Sequence, residues 1–383
     1  MKAFLSIVLA LLQFNFIALF GCPDKATGNV EKNIDNYNYV LGTTAICPSY
    51  KFTKQSDLGE LGGRILAMGS NMIKIETGDT AVHKLLEEHN EFKYIFMWYR
   101  KYNLHQAVFY DGFTQEEKQE DYDAYYNFTK TLLEKYNNTG KEFYLGNWET
   151  DWYYINGYDT NVKEVDDSVT EAMIEWINNR QKAVDDAKRD TEYSNVEVWH
   201  YLEVNRTQDA FEKGYDRVVN NVLPYANVDF VSYSAYDCMR LSAYKIKKTI
   251  NKINKLLPEK EGINGSRVFI GEYAIPASEF NYDDEAYCKA NLDILAKFLK
   301  CNVRFILYWQ MYCNEKPADG RCKGYWLVDD NGNETALYKA FQSILAQGHE
   351  YVSKYQTKHN ALPSEKQYRA YLRTLPELYS IKK

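Results

Sequence analysis

Eight short apolar runs, amphipathic stretches between them and the absence of a phosphate-binding glycine loop predict an α/β fold, the (β/α)8 or TIM barrel. The runs are Tyr39–Ile46, Met72–Glu76, Tyr94–Tyr99, Glu142–Asn147, Val196–Glu203, Val228–Ser234, Arg267–Glu272 and Val303–Trp309. They are β-branched or aromatic and largely unbroken, as strands covered on both faces should be. A doubly wound sheet is the competing architecture. It would carry GxGxxG or GxxxxGK after an early strand, and neither motif occurs.

Helical patterns fill the gaps in order. The stretch 57–68 is a poor helix, with three glycines, and a better one is expected near 79–89. Thr114-Gln115-Glu116-Glu117 is a capping box that opens a helix to about Tyr136. Val169, Ala172, Met173, Trp176 and Ile177 form an apolar stripe between Asp166 and about Lys188. Further helices are expected near 208–222, 241–256, 283–299 and 335–347, and residues 349–383 read as a helical tail packed outside the barrel.

Residues 1–22 read as an export signal: Lys2, then an apolar stretch from Phe4 to Phe20, then a small residue before Cys22. Leu19-Phe20-Gly21-Cys22 loosely resembles a lipobox, so simple cleavage and a lipid anchor at Cys22 both stay open. Residues 23–383 are expected to form a single catalytic domain, a monomer. Setting Cys22 aside, six cysteines are compatible with up to three disulfides in an oxidising compartment, Cys313 and Cys322 making the most plausible local bridge. The net charge of -7 offers no field for nucleic acid or anionic lipid, and a neutral substrate fits better than a polyanion.

In such a barrel the chemistry lies at the C-terminal ends of the strands. The fourth run leads into Gly146-Asn147-Trp148-Glu149-Thr150-Asp151-Trp152, and the fifth into Leu202-Glu203-Val204-Asn205. The sixth ends in Ser232-Tyr233-Ser234, the seventh in Gly271-Glu272-Tyr273, and the eighth in Tyr308-Trp309-Gln310. A glutamate that ends an apolar strand after a glycine must be satisfied by partners, which singles out Glu272. The six histidines are scattered, with no HExxH or HxH, and there is no GxSxG elbow. Metal and nucleophilic-serine chemistry therefore fall away, and no cofactor is expected. Glu76, with Lys74 two residues earlier, reads as a barrel-floor ion pair ahead of the alternative, a sugar ligand.

These strand ends resemble the clan of retaining (β/α)8 glycoside hydrolases that includes cellulases and β-mannanases. In that clan the acid/base glutamate closes the fourth strand, directly after an asparagine, and the nucleophile closes the seventh, often as Gly-Glu-aromatic. A tyrosine or histidine near the end of the sixth strand contacts the nucleophile, and a tryptophan ending the eighth floors the sugar site. Gly271-Glu272-Tyr273, Tyr233 and Trp309 match. The resemblance implies a glycosidase acting on a neutral poly- or oligosaccharide, with Glu272 as nucleophile and Glu149 as acid/base. Asn147, Trp152, Asn205, Tyr233 and Trp309 would contact the sugar. The clan's adjacent Asn-Glu is here Asn147-Trp148-Glu149, so Glu203 is a rival acid/base. An inactive barrel that binds carbohydrate or a protein partner is the alternative from another class.

Overall fold

The computed structural model describes residues 30–99, 114–317, 320–375 and 378. Eight parallel strands close into a barrel in chain order: β1 (Leu41–Ala45), β2 (Met72–Thr77), β3 (Tyr94–Tyr99), β4 (Lys141–Gly146), β5 (Val196–Val204), β6 (Phe230–Ser234), β7 (Val268–Glu272) and β8 (Ile306–Tyr308). Strand β8 pairs with both β7 and β1 and completes the ring. The expected (β/α)8 fold is the observed one. The export segment 1–22, Cys22 included, lies outside the described residues.

Around the barrel run α1 (Asp57–Ala67), α2 (Ala81–Glu88), α3 (Gln115–Lys135), α4 (Thr150–Tyr154), α5 (Asp167–Asp190), α6 (Thr207–Lys213), α7 (Ala243–Leu256), α8 (Asp284–Phe298), α9 (Ala336–His359) and α10 (Glu365–Leu372). None of the described helices is long and apolar enough to cross a membrane. The capping box at Thr114 forms: its hydroxyl accepts from the Glu117 N–H and its own N–H donates to the Glu117 carboxylate.

Three helical expectations need correction. The glycine-bearing stretch at 57–68 is a regular, Ser56-capped helix, because its glycines serve packing. A β-carbon on Gly59 would lie 2.3 Å from the Glu88 carboxylate, and one on Gly62 2.7 Å from the His89 ring, so α1 can lie close against α2. The single helix expected over 208–222 breaks at Gly214, whose φ of 73° takes the left-handed turn. The chain then swings so that the buried Arg217 donates to the carbonyls of Thr160 and Val162 before a second short helical turn at Val218–Val222. The tail has no break at 349: α9 runs on to His359 and stops at Asn360, also left-handed.

The expected disulfides are not formed. All six described cysteines are free thiols, although those of Cys313 and Cys322 hydrogen-bond to each other. Cys47 is instead at the barrel mouth, its thiol 3.8 Å from the Glu76 carboxylate.

Strand side chains alternate between the barrel interior and the helix layer. Inside, Phe96, Tyr144, Phe269 and Phe305 form an aromatic plug, with Phe96 stacked on Tyr144 at 4.5 Å. One layer nearer the C-terminal ends, the interior positions of β2, β5, β6 and β7 are Lys74, Glu203, Ser232 and Gly271. The plug gives this polar layer a dry floor.

Candidate active site

Glu272 reaches the barrel axis through an irregularity. Tyr233 pairs with Ile270, but the next residue, Ser234, pairs with Glu272, leaving Gly271 as an extra residue in β7. Strict alternation from Phe269 would send Glu272 outward; the bulge turns it in beside Lys74. Only glycine fits at the bulge, since a β-carbon on Gly271 would fall 1.8 Å from the Ser232 hydroxyl.

Lys74 is the centre of the polar layer. It is completely buried, and its ammonium donates to Glu203 Oε2 at 2.7 Å, Glu272 Oε1 at 3.1 Å and the Gly271 carbonyl at 3.3 Å. It also lies 4.5 Å from the centre of the Trp98 ring. Burial works against its charge, yet the Glu203 and Glu272 carboxylates hold its ammonium above the usual lysine range. The expected Lys74–Glu76 pair is not made; Lys74 points across the barrel instead.

Glu149 enters from the turn after β4. Asn147 donates to the Trp148 carbonyl and the Thr150 hydroxyl, tightening the turn, and the N–H of Glu149 donates to Glu203 Oε1 at 3.1 Å. The Glu149 carboxylate accepts from Ser234 Oγ on one oxygen and from Trp152 Nε1 on the other, each at 2.5 Å. The Ser234 hydroxyl is also 3.4 Å from Glu272 Oε2. Laid end to end, those two distances from one hydroxyl keep the nearest carboxylate oxygens of Glu149 and Glu272 within about 6 Å.

Burial pushes the Glu149 carboxyl up to about 7, with the Glu203 charge adding to the rise. Burial also drives Glu272 well above the carboxylate range, with Lys74 pulling it back and Glu203 and Glu149 pushing it up again. Carboxyls joined through one hydroxyl titrate as a pair. The ammonium at 3.1 Å from Glu272 favours the state in which Glu149 carries the proton.

The other sequence-derived candidates divide. Trp309 stands at the mouth, 8% exposed, its ring 5.8 Å from that of Trp98, which in turn meets Trp148 edge-on at 6.3 Å. Trp152 sits over Glu149 with Tyr158 5.3 Å beyond it. Asn205 is turned toward the protein: with its amide oriented to satisfy both groups, it donates to Asp151 and accepts from Trp152 Nε1, each at 3.0 Å. Asn147 likewise holds the turn. Glu203 is wholly buried and both its oxygens are engaged within the protein.

Tyr233 is a correction. It is buried on the helix side of β6, its hydroxyl bonded to Thr207 and Asp237, because Ser232 and Ser234 occupy the interior positions on either side of it. The tyrosine that does approach Glu272 is Tyr236, whose hydroxyl lies 3.4 Å from Oε2. The alternation of the two serines was the signal for this placement. Among the described residues, no group of histidine, cysteine, aspartate and glutamate side chains could hold a metal ion. His200 is buried against Gln181, and burial pushes its imidazole down to about 3.

No protein-family model matches the chain, and no curated protein sequence does. Solved structures match in fold. A family 39 glycoside hydrolase from Bacteroides cellulosilyticus WH2 aligns over 82% of this chain and 64% of its own, at 11% identity and a TM-score of 0.52. A family 5 xyloglucanase from Paenibacillus pabuli aligns over 83% of this chain and all of its own, at 14% identity and a TM-score of 0.51. An exo-β-1,4-mannosidase from Opitutaceae bacterium strain TAV5 aligns over 81% and 60%, at 11% identity and a TM-score of 0.54. The chain thus shares the (β/α)8 fold of these three proteins, while spanning less than two thirds of the first and third of them.

Proposed function

We propose that the chain is a retaining glycoside hydrolase acting on a neutral poly- or oligosaccharide, with Glu272 as nucleophile and Glu149 as acid/base. The observation that carries this reading is the single Ser234 hydroxyl in reach of both carboxylates at the barrel mouth. Nearest oxygens within about 6 Å are compatible with the about 5–5.5 Å carboxyl separation of retaining enzymes, which supports retention over inversion.

The chemistry follows from the charges. In the state of the pair that Lys74 favours, with the proton on Glu149, Glu272 attacks the anomeric carbon as Glu149 gives that proton to the departing glycosidic oxygen. A glycosyl–Glu272 ester results. Glu149, now ionised, takes a proton from water, which attacks the same carbon and frees Glu272. Burial lets Glu149 carry its proton near neutral pH, as an acid in this role requires. Tyr236 beside Glu272 can follow the oxygen that loses charge in the attack. Trp309, Trp98 and Trp148 give an apolar wall for the C–H face of the sugar.

A Glu149 turned into the barrel wall would favour the inactive binder, whereas it shares a hydroxyl with Glu272. Glu203 is a poor acid/base, since it is wholly buried and paired with Lys74, whereas Glu149 keeps some exposure at the mouth. A neutral sugar is favoured because, among the described residues, the Glu203 and Glu272 carboxylates and the Glu149 carboxyl meet the ammonium of Lys74. The proposal includes export through residues 1–22 and action as a monomer, and mass spectrometry of the secreted chain checks the cleavage site and any lipid on Cys22.

Hydrolysis of β-glucans, mannans, xylans and aryl glycosides by the wild type, Glu272→Gln and Glu149→Gln is the test. Activity lost in both folded variants, with retention of anomeric configuration by NMR, is expected. Inversion, or an active Glu272→Gln, would overturn the proposal.

A further inference from the structure

Glu203 has no part in the two steps above, yet it is the best anchored carboxylate in the barrel. It is wholly buried on β5. Its Oε2 accepts from Lys74 at 2.7 Å and Ser232 Oγ at 2.6 Å; its Oε1 accepts the backbone N–H of Glu149 at 3.1 Å. Neutralising Lys74 would need one of these contacts. The third reaches across to a different element, the turn that carries Glu149, and nothing else among the recorded hydrogen bonds holds that N–H.

We propose that Glu203 is a positioning residue for Glu149: its Oε1 fixes the backbone of the Glu149 turn, and its charge keeps the spare proton of the site on Glu149. The inference rests on the reading of Glu149 as the acid. Among the described residues, three carboxyls gather about the Lys74 ammonium in a buried layer, so all three cannot be ionised cheaply. Glu203 makes the closest contact with Lys74 and Glu272 the next, which leaves Glu149 to hold the proton. The groups facing Glu149 from the surrounding elements are Glu203 on β5, Ser234 on β6, Glu272 on β7, Lys74 on β2, Tyr236 after β6 and Trp152 on α4. After burial, the Glu203 charge is the largest influence among these that favours the protonated form.

Two variants separate charge from hold. Glu203→Gln removes the charge and leaves one carbonyl oxygen for which the Lys74 ammonium and the Glu149 N–H compete. Glu203→Asp keeps the charge and draws the carboxylate back from the N–H by one carbon–carbon bond. The readouts are the pH dependence of kcat/KM on an aryl glycoside and a 13C NMR titration of the Glu149 carboxyl, assigned by its loss in Glu149→Gln. In Glu203→Gln the alkaline limb and the Glu149 midpoint should both fall by about one pH unit. In Glu203→Asp the alkaline limb should stay within a few tenths of a unit while kcat drops about tenfold at unchanged KM. An unmoved Glu149 midpoint in Glu203→Gln would overturn the proposal, as would an unchanged kcat in Glu203→Asp, which decides alone if the first variant does not fold. The titration needs no turnover, so a wild type that cleaves no glycoside would sink the functional reading and leave this one decided by the midpoint.

Discussion

Replacing Glu149 by glutamine should stabilise the protein at alkaline pH while abolishing its activity. A carboxyl raised from an ordinary 4.5 to about 7 holds its proton roughly 3 kcal/mol more tightly in the folded chain than in the unfolded one. Between those two pH values the native state keeps the proton and the unfolded state has lost it. Stability from this group is therefore fully present below about pH 4.5 and is lost as the pH rises through about 7. From pH 5 to pH 8.5 the wild type should lose about 2.5 kcal/mol through Glu149, near 3 °C in Tm for a chain of this size. Glutamine cannot titrate, and its amide suits the site: the oxygen takes the Trp152 N–H and the NH2 donates to the Ser234 hydroxyl. Urea unfolding of both proteins at the two pH values measures the difference, and groups common to both largely cancel. Parallel pH dependences, or a variant less stable than the wild type at pH 8.5, would refute the assignment of the buried proton to Glu149.

Trp309→Ala should raise KM about tenfold on the best substrate and, because the ring is packed on Trp98, cost about 3 kcal/mol without loss of the fold. Unchanged KM and kcat would remove the sugar site from the end of β8. Gly271→Ala forces a methyl into the Ser232 hydroxyl and should cost at least about 2 kcal/mol and most of the activity; a wild-type melt and rate would show that the bulge is not needed. Lys74→Met strands Glu203 and Glu272 without their cation and should cost about 3–5 kcal/mol at neutral pH. That deficit should shrink on acidification, as Glu272 protonates, and thermal melts at pH 7 and pH 5 decide it: a deficit independent of pH would mean that the pairing is not electrostatic.

The strands were legible because a parallel barrel buries them on both faces, which writes each as an unbroken apolar run. Glu272 was legible for the same reason: a carboxylate closing such a run after glycine has no solvent to turn to. What the runs do not write is parity. Tyr233 looked like the nucleophile's neighbour by its place in the chain, but Ser232 and Ser234 share the interior face, and a residue between them must point to the helices. Asn147-Trp148-Glu149 was ambiguous because a strand register ends at Gly146 and the turn beyond it is set by contacts distant in sequence, above all the Glu203 carboxylate on the Glu149 N–H. The break at Gly214 was hidden likewise, its cause being the burial of Arg217 against a loop some 55 residues away.

Lys74 carries the argument furthest. A lysine within Met72-Ile73-Lys74-Ile75 is a charge in a strand covered on both faces, so the sequence alone demands a carboxylate for it. The nearest in the chain, Glu76, shares its face but stands one layer higher, at the mouth. The interior of a barrel instead brings opposite strands together, so the carboxylates that answer Lys74 come from β5 and β7. Once Glu203 and Glu272 are tied to that ammonium, a third carboxyl in the same layer has no ion pair among the described residues. Glu149 therefore keeps its proton, and the burial of one lysine in β2 is what divides the two remaining roles into an ionised nucleophile and a protonated acid.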